Sequence, residues 1–428
     1  MTKILIVGGG GREHALAWRC VHEGHEVLAT PGNDGIARLP GARCLATADD
    51  HGAVVELARR EAVELAIVGP EAPLVDGLAD ALRRAEIPTL GPGASAAQLE
   101  GSKAVAKQFM ARHGVPTARH VTVRELDAGL AALREFDEAP VVKASGLAAG
   151  KGVVVAETHA EAEAALRACL EGGRFGAAGS EVVLEQRLRG QEASFFVLTD
   201  GEHAATFEPC QDHKRIGEGD TGPNTGGMGA YCPAPIVDAA VRERVAARIV
   251  APTLAGLRED GRPFVGVLFI GLMIDPAGDP QVIEYNVRFG DPEVQPLMLG
   301  LRTPLVPRLL AAATGSLADE HLPGDPAATV ILASAGYPER STKGVELVGL
   351  EAAMARADAD PELALFHAGT RRDPQSGLWT SNGGRVLGAC ARGSDLRAAL
   401  SRAYDLLGTI ELEGGQFRRD IGHAVLGS

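Results

Sequence analysis

Residues 281–295 read QVIEYNVRFGDPEVQ. Val282 and Ile283 mark an apolar strand there. It carries Glu284 and Asn286 on one face, because strand side chains alternate with a period of two. A carboxylate and an amide oxygen side by side are hard oxygen ligands, suited to Mg²⁺ beside phosphates. Arg288 continues the alternation, and its planar fork suits bidentate pairing with a substrate carboxylate. The RFGDPE turn that follows holds Gly290, Asp291 and Glu293. A second group of reactive side chains lies in EPCQDHKRIGEGDTGPNTGGMGAY, residues 208–231, where Asp212, His213, Lys214 and Arg215 sit together. The stretch is polar, glycine-rich and too long for a connector, and it follows the apolar strand Phe195 to Leu198. That combination marks a functional segment.

Two further places could hold phosphate. PVVK, residues 140–143, reads as a strand ending in Lys143, followed by SGLAAGKG and a second strand VVVA. Walker A spacing fails here: three residues, not four, separate Gly146 from Gly150, and Gly152 stands where Ser or Thr would ligate Mg²⁺. A glycine loop between two strands is instead a flap over nucleotide phosphates, or a plain hairpin. Lys103 lies in the first turn of a helix over residues 101–113, capped by Ser102, ended by Gly114 and striped by Val105, Phe109 and Met110. A cation there opposes the helix dipole, so it is either solvated or reaching a phosphate. At the start of the chain, the strand Lys3 to Val7, the loop Gly8 to Gly11 and a helix through His14 to Cys20 form an anion site. A dinucleotide is not indicated, because Glu13 occupies the third glycine position of G-x-G-x-x-G. Arg12, Glu13 and His14 are polar groups able to hold a sugar phosphate.

These segments need a multi-domain scaffold. The chain has 428 residues, too long for one ordinary core. The early alternation of strand and helix (Glu26 to Ala29, Gly52 to Glu61, Leu65 to Val68) predicts a doubly wound parallel sheet. Beyond Pro323 and Pro326, ATVILASAGYP, ALFHAGT and TSNGGRVLGACARG with a helix over 394–407 predict an antiparallel sheet with one or two helices, an α+β lid. The expected division is an α/β unit over 1–102, a central α+β unit over 103–325 with a small flap at about 121–192, and an α+β unit over 326–428.

Composition narrows the partners. With 42 Lys and Arg against 56 Asp and Glu the net charge is −14, which argues against nucleic acid as a general partner. The six cysteines are scattered without zinc-like spacing, as expected of thiols in a reducing compartment. No run approaches the ~18 apolar residues of a membrane span and no signal peptide opens the chain, so a cytoplasmic protein with no membrane partner is expected. No cysteine or serine sits in a triad context, so no covalent nucleophile is expected.

The full EYNVRFGDPEVQP block closely resembles the metal-binding segment of the ATP-grasp ligases, and within them the phosphoribosylamine–glycine ligase family. GGGGREHALAW, PGNDG, VGPEAPLVDGLAD, GPGASAAQLEGSK, QDHKR…DTGPNTGGMGAY and GGQFRRDIGHA are similar to the same family, so the resemblance covers almost the whole chain. It implies a pre-ATP-grasp domain, an ATP-grasp domain and a C-terminal α+β domain. Gly10, Arg12, Glu13, Gly32 and Asn33 would help bind 5-phosphoribosylamine. Lys103, Lys143, Gly146, Gly150, Lys151 and Gly152 would grip ATP, with Glu185, Arg187 and Leu188 in the hinge near adenine and Glu192 on the ribose. Asp212 would take the amino group of glycine, Lys214 and Arg215 phosphate or carboxylate, and Arg288, Gly290 and Asp291 further substrate contacts. Lys143, Arg288, Asp212 and Lys214 would carry the catalysis. Glu284 and Asn286 would hold Mg²⁺ or Mn²⁺. Two positions depart from the family pattern: Ser145 stands where Asp is expected, and Leu272 stands twelve positions before Glu284, where many ATP-grasp enzymes carry another acidic ligand. The implied reaction joins glycine to 5-phosphoribosylamine through glycyl phosphate, with release of ADP and phosphate, in a monomer or weak homodimer. An ATP-grasp enzyme with another acceptor, or a nucleotide-binding protein without catalysis, are the alternatives.

Overall fold

In a computed structural model the described residues are 1–47, 50–148, 152–171 and 176–427. The N-terminal strands form a parallel sheet in the order Ala42–Cys44, Glu26–Pro31, Lys3–Gly8, Leu65–Val68, Thr89–Leu90. Its central strand is apolar along its length (Ile4, Leu5 and Ile6 are fully buried), because helices cover both faces of a parallel sheet. The chain reverses its winding at this strand, and the Gly8–Gly11 loop leaves its carboxyl end, where ligand sites of doubly wound folds occur.

The middle of the chain builds two sheets. A four-stranded antiparallel sheet runs His120–Val123, Val182–Glu185, Val141–Ala144, Val153–Val155. With the helices Leu126–Leu133 and His159–Leu170 it has a small core of its own around Val142, Leu166 and Leu184. The second sheet runs Pro280–Asn286, Gly266–Ile274, Gln191–Thr199, Ala204–Phe207, Glu320–Leu322. The helix Lys103–Arg112 lies between these parts, with Ser102 at its N-cap. Its buried face is Ala106, Phe109 and Met110, while Val105 is only half-buried. Burial of Phe109 and Met110 contributes about 1.5–3 kcal/mol each. The expected apolar stripe is thus shifted, because Lys107 also turns inward.

The C-terminal sheet is antiparallel as expected and is backed by the helices Leu350–Ala359 and Leu396–Leu407. Asp395 caps the second helix, so it begins two residues later than the sequence suggested. Its strand order is Gln211–Asp212, Gly229–Cys232, Ala327–Ala333, Arg385–Arg392, Leu363–His367. The first two strands come from the segment with the polar cluster, about a hundred residues earlier in the chain. Asp212 and its neighbours therefore stand on the edge of a sheet completed by the C-terminal part. Among the described residues no helix is long and apolar enough to cross a membrane.

Candidate functional site

Four segments bring cations and carboxylates together above the strand Pro280–Asn286. Lys143, 4% exposed, ends the strand Val141–Ala144 and places its Nζ 2.8 Å from Glu185 Oε2, donating as well to the Ile283 carbonyl at 3.2 Å. Glu185 Oε2 is shared with Lys107 Nζ at 3.1 Å, and Glu185 Oε1 is buried with no hydrogen-bond partner among the described residues. Lys214 Nζ lies 2.7 Å from Glu192 Oε2. Burial works against the charge on Lys214, but Glu192, Asp212 and Glu284 outweigh it and hold its pKa well above the ordinary lysine value. Lys103 has its pKa lowered by burial, with Glu284 opposing.

Glu284 is the focus of this charge. Burial pushes its carboxyl up, yet Lys214, Lys143 and Lys103 together hold it below the usual range, so it is ionised. Among the described residues no side chain or backbone group hydrogen-bonds or ion-pairs with it at contact distance. Asn286, 9% exposed, accepts one hydrogen bond on Oδ1, from Arg288 Nη2 at 3.2 Å, which leaves a lone pair on that oxygen. An ionised carboxylate without a partner and an amide oxygen form a donor set that fits a hard divalent cation. The described residues show no cluster of three or more His, Cys, Asp or Glu side chains able to hold a metal by themselves. Leu272 is fully buried in the core, so that position adds no ligand.

The departure at Ser145 has a structural counterpart. Its Oγ accepts from the Ala104 N–H at 3.1 Å, its carbonyl accepts from the Lys103 N–H at 2.8 Å, and Ser102 Oγ accepts from the Val105 N–H at 3.2 Å. The first N–H groups of the helix Lys103–Arg112 are therefore occupied. What this helix end can offer an anion is therefore the Lys103 side chain rather than bare N–H groups.

The remaining expected residues fall into three groups. Gly146 and Gly152 flank the loop, their backbones bonded to Ala178 and Ala144, while Gly150 and Lys151 lie outside the described residues. Arg187 pairs with Glu157 at 3.0 Å and Leu188 is half-buried beside it, both just beyond the strand that ends at Glu185. Asp212 has its pKa raised by burial, with Lys214 opposing, and Arg215 donates to the Gly222 carbonyl at 2.7 Å across a hairpin. Arg288 is already engaged: Nη2 lies 2.7 Å from Glu100 Oε1 and Nε 3.4 Å from Glu71 Oε2. The fork expected to face substrate thus rests on two carboxylates of the N-terminal part.

At the N-terminal loop, Glu13 is 2% exposed; Oε2 accepts from the Gly10 N–H at 2.7 Å and Oε1 from Arg12 Nε at 2.6 Å. Arg12 also donates to the Phe289 carbonyl at 3.3 Å, tying the loop to the RFGDPE turn. Asn33 caps a short helix through Ile36 N and donates to the Gly9 and His367 carbonyls at 2.9 and 3.0 Å. Gly32 has φ +69°, and a Cβ on Gly9 would stand 2.3 Å from the Gly32 carbonyl oxygen, so this close approach excludes side chains. Gly290 packs on the Glu293 carboxyl. Asp291 accepts from Gln295 at 2.8 Å and meets Arg385 Nη2 at 3.2 Å.

Three family models tile the chain: phosphoribosylglycinamide synthetase, N domain over residues 2–100, ATP-grasp (A) domain over 101–294 and C domain over 327–424. The chain belongs to the phosphoribosylglycinamide synthetase family. It is 50% identical over 425 residues to phosphoribosylamine–glycine ligase of Xanthomonas axonopodis pv. citri, covering 98% of this chain and 97% of the relative. The crystal structure of phosphoribosylamine–glycine ligase from Thermotoga maritima superimposes with a TM-score of 0.85 at 30% identity, covering 98% of this chain and 100% of that one. The biotin carboxylase domain of 2-oxoglutarate carboxylase from Hydrogenobacter thermophilus matches at a TM-score of 0.71 and 16% identity, covering 97% and 91%, and shows the shared fold alone. Family membership makes the chain a ligase that forms a C–N bond on a fold that binds ATP.

Sequence reasoning passed over Lys107, Glu100 and Arg385. Arg385 donates to the Gly226 and Asp291 carbonyls, both at 2.6 Å, and so joins the GGM loop to the RFGDPE turn from the C-terminal sheet. Nothing in its local sequence announces that contact. Lys107 was discoverable: it falls four residues after Lys103 and hence on the same helix face. Glu293 was quoted only as part of the turn; burial, with Asp212 adding, pushes its carboxyl up to about 7, and Ser194 Oγ donates to it at 3.1 Å.

Proposed function

We propose that this chain joins glycine to 5-phosphoribosylamine with ATP, giving glycinamide ribonucleotide, ADP and phosphate through glycyl phosphate, as a step of purine biosynthesis. The observation that carries the reading is the ionised Glu284 carboxylate, unpartnered among the described residues and held by the charges of Lys214, Lys143 and Lys103, within a chain matched by this ligase family along nearly its whole length.

Glycine's carboxylate becomes a usable electrophile once one of its oxygens takes the γ-phosphoryl group of ATP. The ribosylamine nitrogen then attacks the carbonyl carbon, the C–O bond to phosphate breaks, and the nitrogen gives up a proton. Lys143 and Lys103 neutralise the transferring phosphoryl group, Lys214 completes the cationic side, and Asp212 orients the glycine ammonium. Glu284 and Asn286 would hold Mg²⁺ or Mn²⁺, which would supply positive charge to the ATP phosphates. Arg288, anchored on Glu100, presents its remaining N–H groups to carboxylate. Gly146, Gly150, Lys151 and Gly152 close over the phosphates, Glu185, Arg187 and Leu188 line the hinge, and Glu192 takes the ribose. The loop around Gly10, Arg12, Gly32 and Asn33, with Gly290 and Asp291, receives the sugar phosphate. The chain works in the cytoplasm as a monomer or weak homodimer; the thiols of Cys20, Cys210, Cys232 and Cys390, all buried and outside any disulfide, suit such a reducing compartment.

The test is an ADP-release assay with Mg²⁺, ATP, glycine and freshly generated phosphoribosylamine, each omitted in turn. Release that requires every component is expected. Release with formate or bicarbonate in place of glycine would overturn the acceptor assignment.

A further inference from the structure

Lys107 has no part in the reaction as described, yet it is one of the most completely buried charges in the molecule, 2% exposed. Its ammonium links two elements: Nζ donates to Thr117 Oγ1 at 2.6 Å and lies 3.1 Å from Glu185 Oε2. Thr117 Oγ1 in turn donates to the Val282 carbonyl at 2.7 Å. Lys143 reaches the same Glu185 oxygen at 2.8 Å and the neighbouring Ile283 carbonyl at 3.2 Å. The contacts close a ring through the helix Lys103–Arg112, the strand Val182–Glu185, the strand Val141–Ala144 and the strand that carries Glu284 and Asn286.

The charge count inside the ring is uneven. Two buried ammonium groups share a single carboxylate oxygen, while the other oxygen of Glu185 is buried without a hydrogen bond among the described residues. One carboxylate cannot compensate two buried cations, and an uncompensated buried charge is costly. Burial lowers the pKa of Lys107 to about 8, with Glu185 opposing, which is the direction expected of a cation short of compensation. The arrangement makes sense where an anion joins from the open side. Lys103 is half-buried, and among the described residues neither Lys103 nor Lys143 ion-pairs at contact distance with a carboxylate other than Glu185.

We propose that Lys107 is a positioning residue for ATP: by taking a share of Glu185 Oε2 and pinning Thr117 to the Glu284 strand, it divides that carboxylate between two cations and leaves Lys143, although paired at 2.8 Å, with charge to spare for phosphate. Without Lys107, Glu185 compensates Lys143 alone and weakens its attraction for the nucleotide phosphates. The inference rests on the ATP-dependent ligase reading and refines how that site is assembled.

The experiment measures steady-state kinetics of Lys107→Met, Lys107→Arg and Thr117→Val beside the wild type, with thermal unfolding of each. Wild-type ADP release that needs all components tests the ligase reading separately. For Lys107→Met the expected result is a KM for ATP raised about tenfold, with KM for glycine and for phosphoribosylamine within about twofold of wild type. Lys107→Arg should restore most of the loss, and Thr117→Val should give a smaller change of the same selectivity. An unchanged KM for ATP in Lys107→Met overturns the proposal. So does a parallel rise in all three KM values with a lowered Tm, the mark of a merely structural lysine. Should Lys107→Met fail to fold, Thr117→Val decides by the same criterion.

Discussion

The N-terminal glycine loop and the lysine-rich site above the Glu284 strand are both polar and both built for anions, yet they are finished to different degrees. In the loop the side chains are spent on the protein itself. Both oxygens of Glu13 are taken by Gly10 and Arg12, and the amide of Asn33 caps a helix while spanning to Gly9 and His367. What such a loop has to offer a ligand is a preformed backbone surface. In the second site charge is left over at Glu284: Lys143 and Lys214 have ion pairs elsewhere, and the Glu284 carboxylate has no hydrogen-bonding partner among the described residues while Lys214, Lys143 and Lys103 hold it ionised. Satisfied polar groups brace a shape, whereas unsatisfied ones mark where the missing charge of a ligand completes the structure.

If that contrast is right, mutations in the two places should fail in different ways. The largest effect is expected for Glu284→Gln, which removes a charge but no packing: turnover should fall about 10³-fold while cooperative unfolding is retained. Near-wild-type ADP release from that variant would remove Glu284 from the site. Lys143→Met should cost about 10²-fold in kcat/KM for ATP and leave glycine saturation little changed, as read from initial rates at varied glycine.

Glu13→Ala should behave in the opposite sense. Loss of two charge-assisted bonds inside a buried loop is expected to cost about 2 kcal/mol of stability, seen in denaturant unfolding, and to weaken phosphoribosylamine binding only as a consequence. A variant of full stability with a specific KM defect would show that Glu13 contacts substrate and would erase the contrast. The smallest effect concerns Glu293, between the two regions. Its folded pKa of about 7 lies above the value of about 4.3 for an unfolded chain. The folded state therefore binds this proton more tightly, and the stability so gained is full below about pH 4 and lost as pH rises towards 7. Glu293→Gln should accordingly raise Tm relative to wild type at about pH 8 and change it little at about pH 4, by calorimetry at the two values.

Much of this site was legible in the chain. Period-two alternation placed Glu284, Asn286 and Arg288 on one face, the failed Walker spacing led to a loop between two strands, which pair antiparallel, and Ser102 announced the start of the lysine-bearing helix. Less was legible wherever a side chain's partner is remote. Glu100 lies 188 residues from Arg288 yet takes its guanidinium, and Arg385 reaches back 94 residues to Asp291. Val105 was placed on the apolar stripe because local pattern alone cannot tell that the adjacent turn buries a lysine instead.

The sequence by itself determined most of the elements, the acid and amide carried by one strand, and the family, because these depend on local backbone periodicity and on contiguous motifs. Only the tertiary structure decided which charges are spent and which remain. Glu13 and Glu284 are the same residue type beside basic groups, but Glu13 is satisfied within its own turn while the charges around Glu284 come from remote segments. The difference arises because electrostatic compensation is set by distances in space: the glycine loop folds Gly10 and Arg12 onto Glu13, whereas Lys103, Lys143 and Lys214, brought in from distant segments, act on the Glu284 carboxylate without a hydrogen bond to it among the described residues.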